Sequence, residues 1–237
     1  MFGVSFGSNG GVSVPPPDDY VAFYSLDTNS LDSSINGYDG TDVNGIIYNG
    51  TSAQYDGFRD YTLLDAGLSS TLYAGDIGVS LWFKMLDAST DNTFILGTEG
   101  GGVAPITVGI YYISAGVYQF KARGLVGGQL WWTSTADVSL NTNISVGSYY
   151  HLSVNFNRAS RAWEVYIDST YLGTDTYDAA AFSGLSPTRE VIGVYSSNNG
   201  YEASAFYGLI SNIRFYNKEL SQTEITAIYN AERAEHQ

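Results

Sequence analysis

The residues in this chain best suited to chemistry are aromatic side chains near amides, a combination typical of sugar binding. An aromatic face packs against the apolar C–H patch of a sugar ring, while amides and carboxylates bond its hydroxyls. Trp131 and Trp132 form the strongest pair, because one of two consecutive rings in a strand must point away from the core. The other candidates are Tyr111, Tyr195, Asn198 and Tyr201. The alternative is that these aromatics fill a core or a subunit interface.

A loop rich in Asp and Asn is the candidate metal site. Ca²⁺ takes about six to eight oxygen ligands from carboxylates, amides and backbone carbonyls. Such a set stands between residues 27 and 42, with Asp27, Asp32, Asn36 and Asp39 as its main members. The sequence predicts a structural calcium ion here, and no other cofactor. The alternative is that these side chains close Asx-turns on their own backbone.

The sequence lacks the usual catalytic patterns. Glu164 and Asp168 come nearest to a glycosidase pair, but four residues apart on a strand they lie too far along it to flank one bond. His151 falls within a strand, and His236 lies one residue from the chain end, where fraying is the ordinary expectation. There is no cysteine. The chain is therefore predicted not to be an enzyme.

Alternating apolar and polar residues supply the elements that must position these groups. Four runs have the period of two that is typical of a strand with one buried face; they cover residues 79–85, 151–156, 163–168 and 209–216. One helix is predicted over residues 221–232, with Ser221 and Glu224 as a capping box. Together they predict an all-β fold, a two-sheet antiparallel β-sandwich of the jelly-roll type with a short C-terminal helix.

The composition limits the partners and the number of domains. A formal net charge of −14 argues against binding nucleic acid or an anionic membrane surface. No run is long and apolar enough for membrane insertion. Residues 1–18 are rich in Gly, Ser and Pro and are interpreted as a flexible N-terminal arm. Residues 19–237 are then predicted to form one domain.

Five segments in a fixed order resemble laminin-G-like domains of the concanavalin A-like lectin/glucanase superfamily. They are residues 32–40 (DSSINGYDG), 56–57 (DG), 79–84 (VSLWFK), 150–154 (YHLSV) and 163–168 (WEVYID). Three positions depart from the family pattern: Ile35 and Ser169 stand where Gly is usual, and Tyr150 where Trp is usual. The resemblance implies a concanavalin A-like jelly roll, often with a calcium ion near its terminal strands.

The resemblance implies a domain that binds its ligand outside a cell. The residues after Met1, however, do not have the pattern of a secretory signal peptide, so we expect no export signal there. A virion surface protein, such as a phage capsid decoration or fibre protein made in the host cytoplasm, reconciles the two. Its expected partners are capsid or other virion proteins, to which residues 1–18 would attach, and surface glycans. The protein is also expected to form a homo-oligomer. The alternatives are a carbohydrate-binding module or adhesin of a bacterial extracellular protein, and, last, an intracellular glucanase.

Overall fold

Fifteen strands and two helices are found in residues 15–87, 93–98, 107–114, 117–123, 140–176, 189–195 and 204–237, the part of the chain that the computed structural model describes. The strands are β1 (Ala22–Tyr24), β2 (Thr41–Val43), β3 (Ile47–Tyr48), β4 (Ala53–Asp56), β5 (Tyr61–Leu63), β6 (Ile77–Met85), β7 (Thr93–Thr98), β8 (Thr107–Ser114), β9 (Val117–Arg123), β10 (Leu140–Asn143), β11 (Tyr149–Asn157), β12 (Ala162–Ile167), β13 (Thr170–Thr176), β14 (Glu190–Ile192) and β15 (Tyr207–Tyr216). The helices are α1 (Ala66–Leu72) and α2 (Gln222–Glu232).

These strands form two antiparallel sheets. Sheet A has the order β13-β12-β11-β6-β15-β4-β3, and β1 also pairs with β15. Sheet B has the order β10-β9-β8-β7-β14-β5-β2. Since strands distant in sequence lie side by side in both sheets, the fold is the predicted jelly-roll sandwich. No helix within the described ranges is long and apolar enough to cross a bilayer.

The core lies between the two sheets and takes alternate residues of each strand. On β6 the inward side chains include Val79, Leu81 and Phe83, and on β11 they include Leu152 and Val154. Burying a side chain of this size contributes about 1.5–3 kcal/mol. The alternation read from the sequence is confirmed for the inner face of the sandwich.

The outer face of sheet A differs from the prediction, because it too is buried. Ser80, Trp82 and His151 point away from the core, yet almost none of their surface is exposed. The chain after β15 lies across this face, where Asn155 Nδ2 donates to the Leu220 carbonyl (2.7 Å) and Leu220 N–H donates to Asn155 Oδ1 (2.8 Å). Polar residues that alternation assigns to solvent therefore bond the covering segment.

Helix α2 follows the predicted start and packs on this outer face. The side chain of Ser221 accepts a hydrogen bond from Glu224 N–H, and Glu224 bonds back to the Ser221 backbone, which completes the capping box. Ile225 and Ile228 are buried against aromatic side chains of sheet A. The predicted C-terminal helix is confirmed, and it is the lid of the outer face.

Helix α1, over Ala66–Leu72, was not predicted from the sequence. It has seven residues, and its Gly, Ser and Thr content disfavours a helix in isolation. Asp65 caps it by accepting from Gly67 N–H at 2.7 Å. Leu68 and Leu72 are fully buried in the core. Tertiary packing therefore stabilises a helix that local propensity does not indicate.

The turn between β12 and β13 explains one departure from the family pattern. Asp168 and Ser169 both have positive φ, 48° and 62°. Two consecutive left-handed residues are what a two-residue hairpin turn requires, and glycine meets this at the lowest cost. Ser169 keeps the conformation, and its carbonyl accepts a 2.7 Å hydrogen bond from Gln222 Nε2 at the start of α2.

Candidate functional site

Most of the aromatic residues proposed for sugar binding lie outside the residues described. Trp131, Trp132, Asn198 and Tyr201 lie outside the described ranges, between β9 and β10 and between β14 and β15. Tyr111 lies in β8 opposite Gln119, at a position where the backbone alone is described. The sugar-binding role of these residues stays a prediction.

The strands that flank these candidates reach opposite ends of sheet B. Arg123, the last residue of β9, pairs with Thr107 at the end where Thr98 pairs with Glu190. Tyr195 follows β14 in the other direction, towards the start of β7. Arg123 and Tyr195 therefore lie at opposite ends of sheet B.

Tyr195 does not offer an exposed ring. Its side chain is 4% exposed and packs on Phe94, with 4.6 Å between ring centroids. Because stacking on a sugar requires an open ring face, the structure corrects this member of the candidate set. For Tyr195, the alternative of core packing holds.

The structure reveals an aromatic surface that sequence reasoning missed, at the turn after β4. Phe58 is 66% exposed and Tyr207, the first residue of β15, is 39% exposed. Between them lies Gly57, with φ of +76°, where a Cβ atom would come within 2.7 Å of Tyr207 Cβ. Glycine is therefore required here on two grounds, and it lets the turn lie directly against Tyr207.

Polar groups suited to sugar hydroxyls flank these rings. Asp56 Oδ1 accepts from the N–H groups of Phe58 (2.7 Å) and Arg59 (3.3 Å), which fixes the turn. The Arg59 guanidinium lies 5.1 Å from the centroid of the Phe58 ring, a cation–π distance. We call Asp56, Phe58, Arg59 and Tyr207 the Phe58 surface. The sequence signal available for it was an aromatic residue directly after the Asp56-Gly57 turn.

Two of the four main residues of the proposed calcium loop, Asp32 and Asp39, are in direct contact. Asp32 N–H donates to Asp39 Oδ1 at 3.0 Å, and Asn36 Nδ2 donates to the Val21 carbonyl at 2.8 Å. Asp27 lies apart, beside the C-terminal segment, where burial and the Glu235 carboxylate raise its pKa. The groups that act on the Asp27 carboxyl are thus Ser25, Glu235 and His236, and not the other members of the loop.

Asp32 is the centre of the loop, since its carboxylate accepts four hydrogen bonds. Oδ1 accepts from Phe23 N–H (2.9 Å) and Ser34 N–H (2.8 Å). Oδ2 accepts from Ser34 Oγ (2.6 Å) and Tyr38 N–H (2.9 Å). Donors directed at both oxygens stabilise the anion and compete with a cation, so the arrangement at Asp32 does not fit a calcium ligand. This is the Asx-turn alternative.

Calcium binding by the loop as a whole stays a prediction. Within the described ranges no group of three His, Asp or Glu side chains is arranged to share an ion. Asn and backbone oxygens also bind Ca²⁺. Thermal melts with calcium and with a chelator test the point, because an ion that binds only the folded state must raise the melting temperature.

Replacing Asp32 by Ala is expected to destabilise the protein by about 2–4 kcal/mol. Four donors lose their acceptor, and the N–H groups of Phe23 and Tyr38 are left in a partly buried site. Urea unfolding measures the change. Asp18→Ala, at an exposed carboxylate near the same end of the chain, is the matched control and is expected to cost less than about 0.5 kcal/mol. Equal losses in the two variants would contradict the assignment.

A second cluster lies on the outer face of sheet A, around Trp82. The His236 ring lies parallel to the Trp82 ring, with 4.2 Å between centroids and 3° between planes. Ser211 Oγ is 2.8 Å from His236 Nε2, and Trp82 Nε1 donates to Glu232 Oε2 at 2.8 Å. His236 is 8% exposed. The expectation of fraying at this residue is wrong, because tertiary stacking holds the end of the chain.

The carboxylates considered for catalysis have structural partners. Glu164 Oε2 accepts from the Tyr166 hydroxyl at 3.0 Å. Asp168 Oδ1 accepts from His151 N–H at 2.9 Å, and burial raises the pKa of this carboxyl. They lie at different positions on the β12 hairpin and do not converge on one point.

Comparison with solved structures identifies jelly-roll domains as similar folds. Domain 4 of AbnA, an extracellular arabinanase from Geobacillus stearothermophilus solved with arabinotriose, is 21% identical over 89% of this chain and 98% of that domain, with a TM-score of 0.63. Botulinum neurotoxin type C, described with cell entry dependent on two ganglioside molecules, is 11% identical over 90% of this chain and 51% of that one (TM-score 0.63). Trypanosoma rangeli sialidase is 14% identical over 92% and 34% (TM-score 0.64).

These similarities support the fold, and sequence comparison supports the family. The chain spans about half the length of the toxin binding domains that it matches. A search of curated protein sequences finds no match to it. A laminin-G-like family model, described as the concanavalin A-like lectin/glucanases superfamily, matches residues 56–226, which is more than half of the chain.

Proposed function

Because this chain belongs to the concanavalin A-like lectin/glucanase superfamily, we propose that it is a non-catalytic, glycan-binding domain. The observation that supports the proposal best is the Phe58 surface, two exposed aromatic rings with a carboxylate and a guanidinium beside them. Sugar rings pack on such aromatic faces, and their hydroxyls bond charged and amide groups. The arabinotriose in the complex of the arabinanase domain is further support for this class of ligand.

The turn that carries the Phe58 surface is held by hydrogen bonds on both sides. The rings flank a turn held by Asp56 and by the short contact of Asn44 Nδ2 with the Arg59 carbonyl, at 2.5 Å. Asp60, nearly fully buried, accepts from Gly45 N–H at 2.9 Å and ties the two turns together. A pre-formed turn loses little conformational entropy on binding, which favours affinity.

Replacing Phe58 and Tyr207 together by Ala is expected to weaken glycan binding at least about tenfold. Truncating an aromatic residue at the centre of a binding surface typically costs more than about 1 kcal/mol. A glycan array followed by titration calorimetry measures the loss. Tyr171→Ala is the matched control, because this ring is 46% exposed on the edge strand β13, away from the turn. It is expected to bind as the original protein does.

The same array decides between this surface and the pair predicted from sequence. A loss of binding in Trp131→Ala/Trp132→Ala, with the Phe58 and Tyr207 variant unchanged, would place the glycan at the tryptophans instead. An intact protein that binds no glycan on the array would overturn the proposal altogether.

The proposed absence of catalysis rests on how the described carboxylates are used. Glu164 accepts from Tyr166 of the same strand, Asp168 accepts from the His151 N–H of the neighbouring strand β11, and Glu190 is buried beneath α1. A glycosidase needs two carboxyl groups about 5–10 Å apart across an open cleft. Release of reducing sugar from the glycans bound on the array would contradict a purely binding role.

The setting we propose is the surface of a virus particle, where a lectin-like domain contacts host glycans. The Gly, Ser and Pro content of residues 1–18 suits a flexible attachment to capsid or other virion proteins, and an oligomer would increase avidity. The alternative is a binding module or adhesin of an extracellular bacterial protein, for which the arabinanase domain is a structural parallel. Mass spectrometry and cryo-EM of purified particles separate the two, since absence of the protein from particles would exclude the first.

A further inference from the structure

The C-terminal residues of the chain occupy a slot built from two aromatic rings. Beneath His236 lies the face of Trp82, and beside it stands Tyr149, whose ring is perpendicular to the histidine (78°) at 5.0 Å between centroids. Ser211 and the carbonyl of Glu232 bond the two ring nitrogens, at 2.8 and 3.0 Å. We call these four residues the Trp82 slot. The slot therefore holds the His236 ring by stacking on its face and by hydrogen bonds at both ring nitrogens.

The residues around the slot carry more polar groups than His236 uses. Arg214 Nη2 pairs with Glu232 Oε1 at 2.5 Å, on the same sheet face. Among the described residues, the buried atoms Arg214 Nη1, His151 Nδ1 and Ser153 Oγ have no hydrogen-bond partner. A buried polar atom without a partner is destabilising, and with the chain's own end in place these three atoms of the outer face have no hydrogen-bond partner.

The segment that covers the slot contacts sheet A through the side chain of His236. Of the last five residues, Arg233, Ala234, Glu235 and Gln237 are exposed. The backbone bonds here are local, from Glu235 N–H to the Glu232 carbonyl and from His236 N–H to the Arg233 carbonyl. The stacking and hydrogen-bonding contacts between this segment and sheet A are therefore made by His236. Uncovering the slot therefore breaks the stacking and the hydrogen bonds of His236 but no backbone pairing with sheet A.

We propose that the Trp82 slot is a second, concealed binding site for a pyranose ring, and that the C-terminal residues 233–237 cover it. The aromatic face of Trp82 would take the C–H face of the sugar, and Ser211, Arg214 and Glu232 would bond its hydroxyls. The slot lies on the outer face of sheet A, whereas the Phe58 surface lies at the turn after β4. The inference names a sugar because it rests on the proposed glycan-binding function.

His236→Ala in the full chain tests the slot directly. Free imidazole at millimolar concentration is expected to raise the melting temperature of this variant, because a ligand bound only by the folded state stabilises it. Gln237→Ala, the exposed neighbour, is the matched control and should not respond. His236→Ala/Trp82→Ala should not respond either, since the stacking face is gone. The imidazole measurement does not depend on whether the protein binds glycans at all.

The second measurement uses methyl glycosides of glucose, mannose and galactose, followed by NMR in the Phe58→Ala/Tyr207→Ala background. His236→Ala is expected to bind at least one of them about tenfold more tightly than the chain with His236. A folded His236→Ala variant that binds neither imidazole nor any glycoside would overturn the proposal. Imidazole binding without glycoside binding would overturn the pyranose assignment, and with it the function proposed for the slot.

The chain that keeps His236 decides the matter if the variant does not fold. It has two histidines, so the ring signals of His236 and His151 are readily assigned. Saturating glycoside should shift the His236 signals as the segment leaves the slot. Unchanged signals up to about 100 mM glycoside would overturn the proposal, because a displaceable cover must respond to its competitor by mass action.

Discussion

Glu190→Gln is expected to make the protein more stable than the original at alkaline pH, by about 3–5 kcal/mol at pH 9. Glu190 is fully enclosed beneath α1, and burial raises its pKa to about 8, although Tyr73 and Ser69 bond the carboxylate and oppose the shift. In the unfolded chain the group ionises near 4.5. The contribution of Glu190 to the free energy of unfolding is therefore fully present below about pH 4.5. It falls by about 1.4 kcal/mol for each pH unit between 4.5 and 8 and is lost above pH 8.

Glutamine carries no charge at any pH, so the variant should lose this alkaline decline. Its carbonyl oxygen can still accept from the Tyr73 hydroxyl, which lies 2.5 Å from Glu190 Oε1. At pH 4, where Glu190 is protonated in both states, the two proteins should have similar stability. Urea unfolding between pH 4 and 9 measures the difference. Glu235→Gln, an exposed carboxylate, is the matched control, and parallel curves for Glu190→Gln and the original protein would contradict the prediction.

His151 should give the opposite dependence, with stability lost in acid. Burial lowers its pKa to about 3, and the positive charge of Arg214 and the nearby His236 add to this effect. The unfolded chain takes up the proton near pH 6.5. Stability is therefore full above about pH 6.5 and declines as the pH falls towards 3, by about 3 kcal/mol between pH 6.5 and 4.

His151→Gln is expected to remove that acid-sensitive part of the stability. A glutamine can keep a bond to Ser80, whose hydroxyl lies 2.8 Å from His151 Nε2, and it does not titrate. Unfolding curves at pH 7 and pH 4 for the two proteins measure the change. NMR gives a direct check, because the ring signals of His151 should not titrate in the folded protein down to about pH 4. A midpoint near 6 would show that the ring is accessible to protonation.

The strands and the C-terminal helix could be predicted from the sequence because the signals for them are local. Alternation identified the inner face of β6 and β11, and the capping box of Ser221 and Glu224 identified the start of α2. What covers the outer face of sheet A is not a local property. Ser80 and His151 alternate with apolar neighbours as solvent-facing residues do, and their burial depends on a helix more than sixty residues away in the chain.

The candidate site was harder to predict for the same reason. Residue type and neighbouring residues single out Trp131 and Trp132. The exposure of Phe58 depends instead on how Gly57 lies against Tyr207, in a strand at the other end of the sequence. Tyr195 lies close in sequence to Asn198, as a sugar-binding tyrosine would lie close to an amide, and is nevertheless buried against Phe94. Residue type indicates which chemistry a chain can carry, and tertiary packing decides which rings remain open.

The position of β15 has a consequence for the order in which the protein folds. It lies between β6 and β4 in sheet A, and its far half pairs with β1, so that Phe215 is opposite Ala22. Sheet A therefore cannot close until the chain up to Tyr216 has left the ribosome. Contacts between residues so distant in sequence slow folding, since loop-closure entropy must be lost before the pairing forms. The exposed edges of β6 and β4 would then be the first sites of misassembly in a truncated chain.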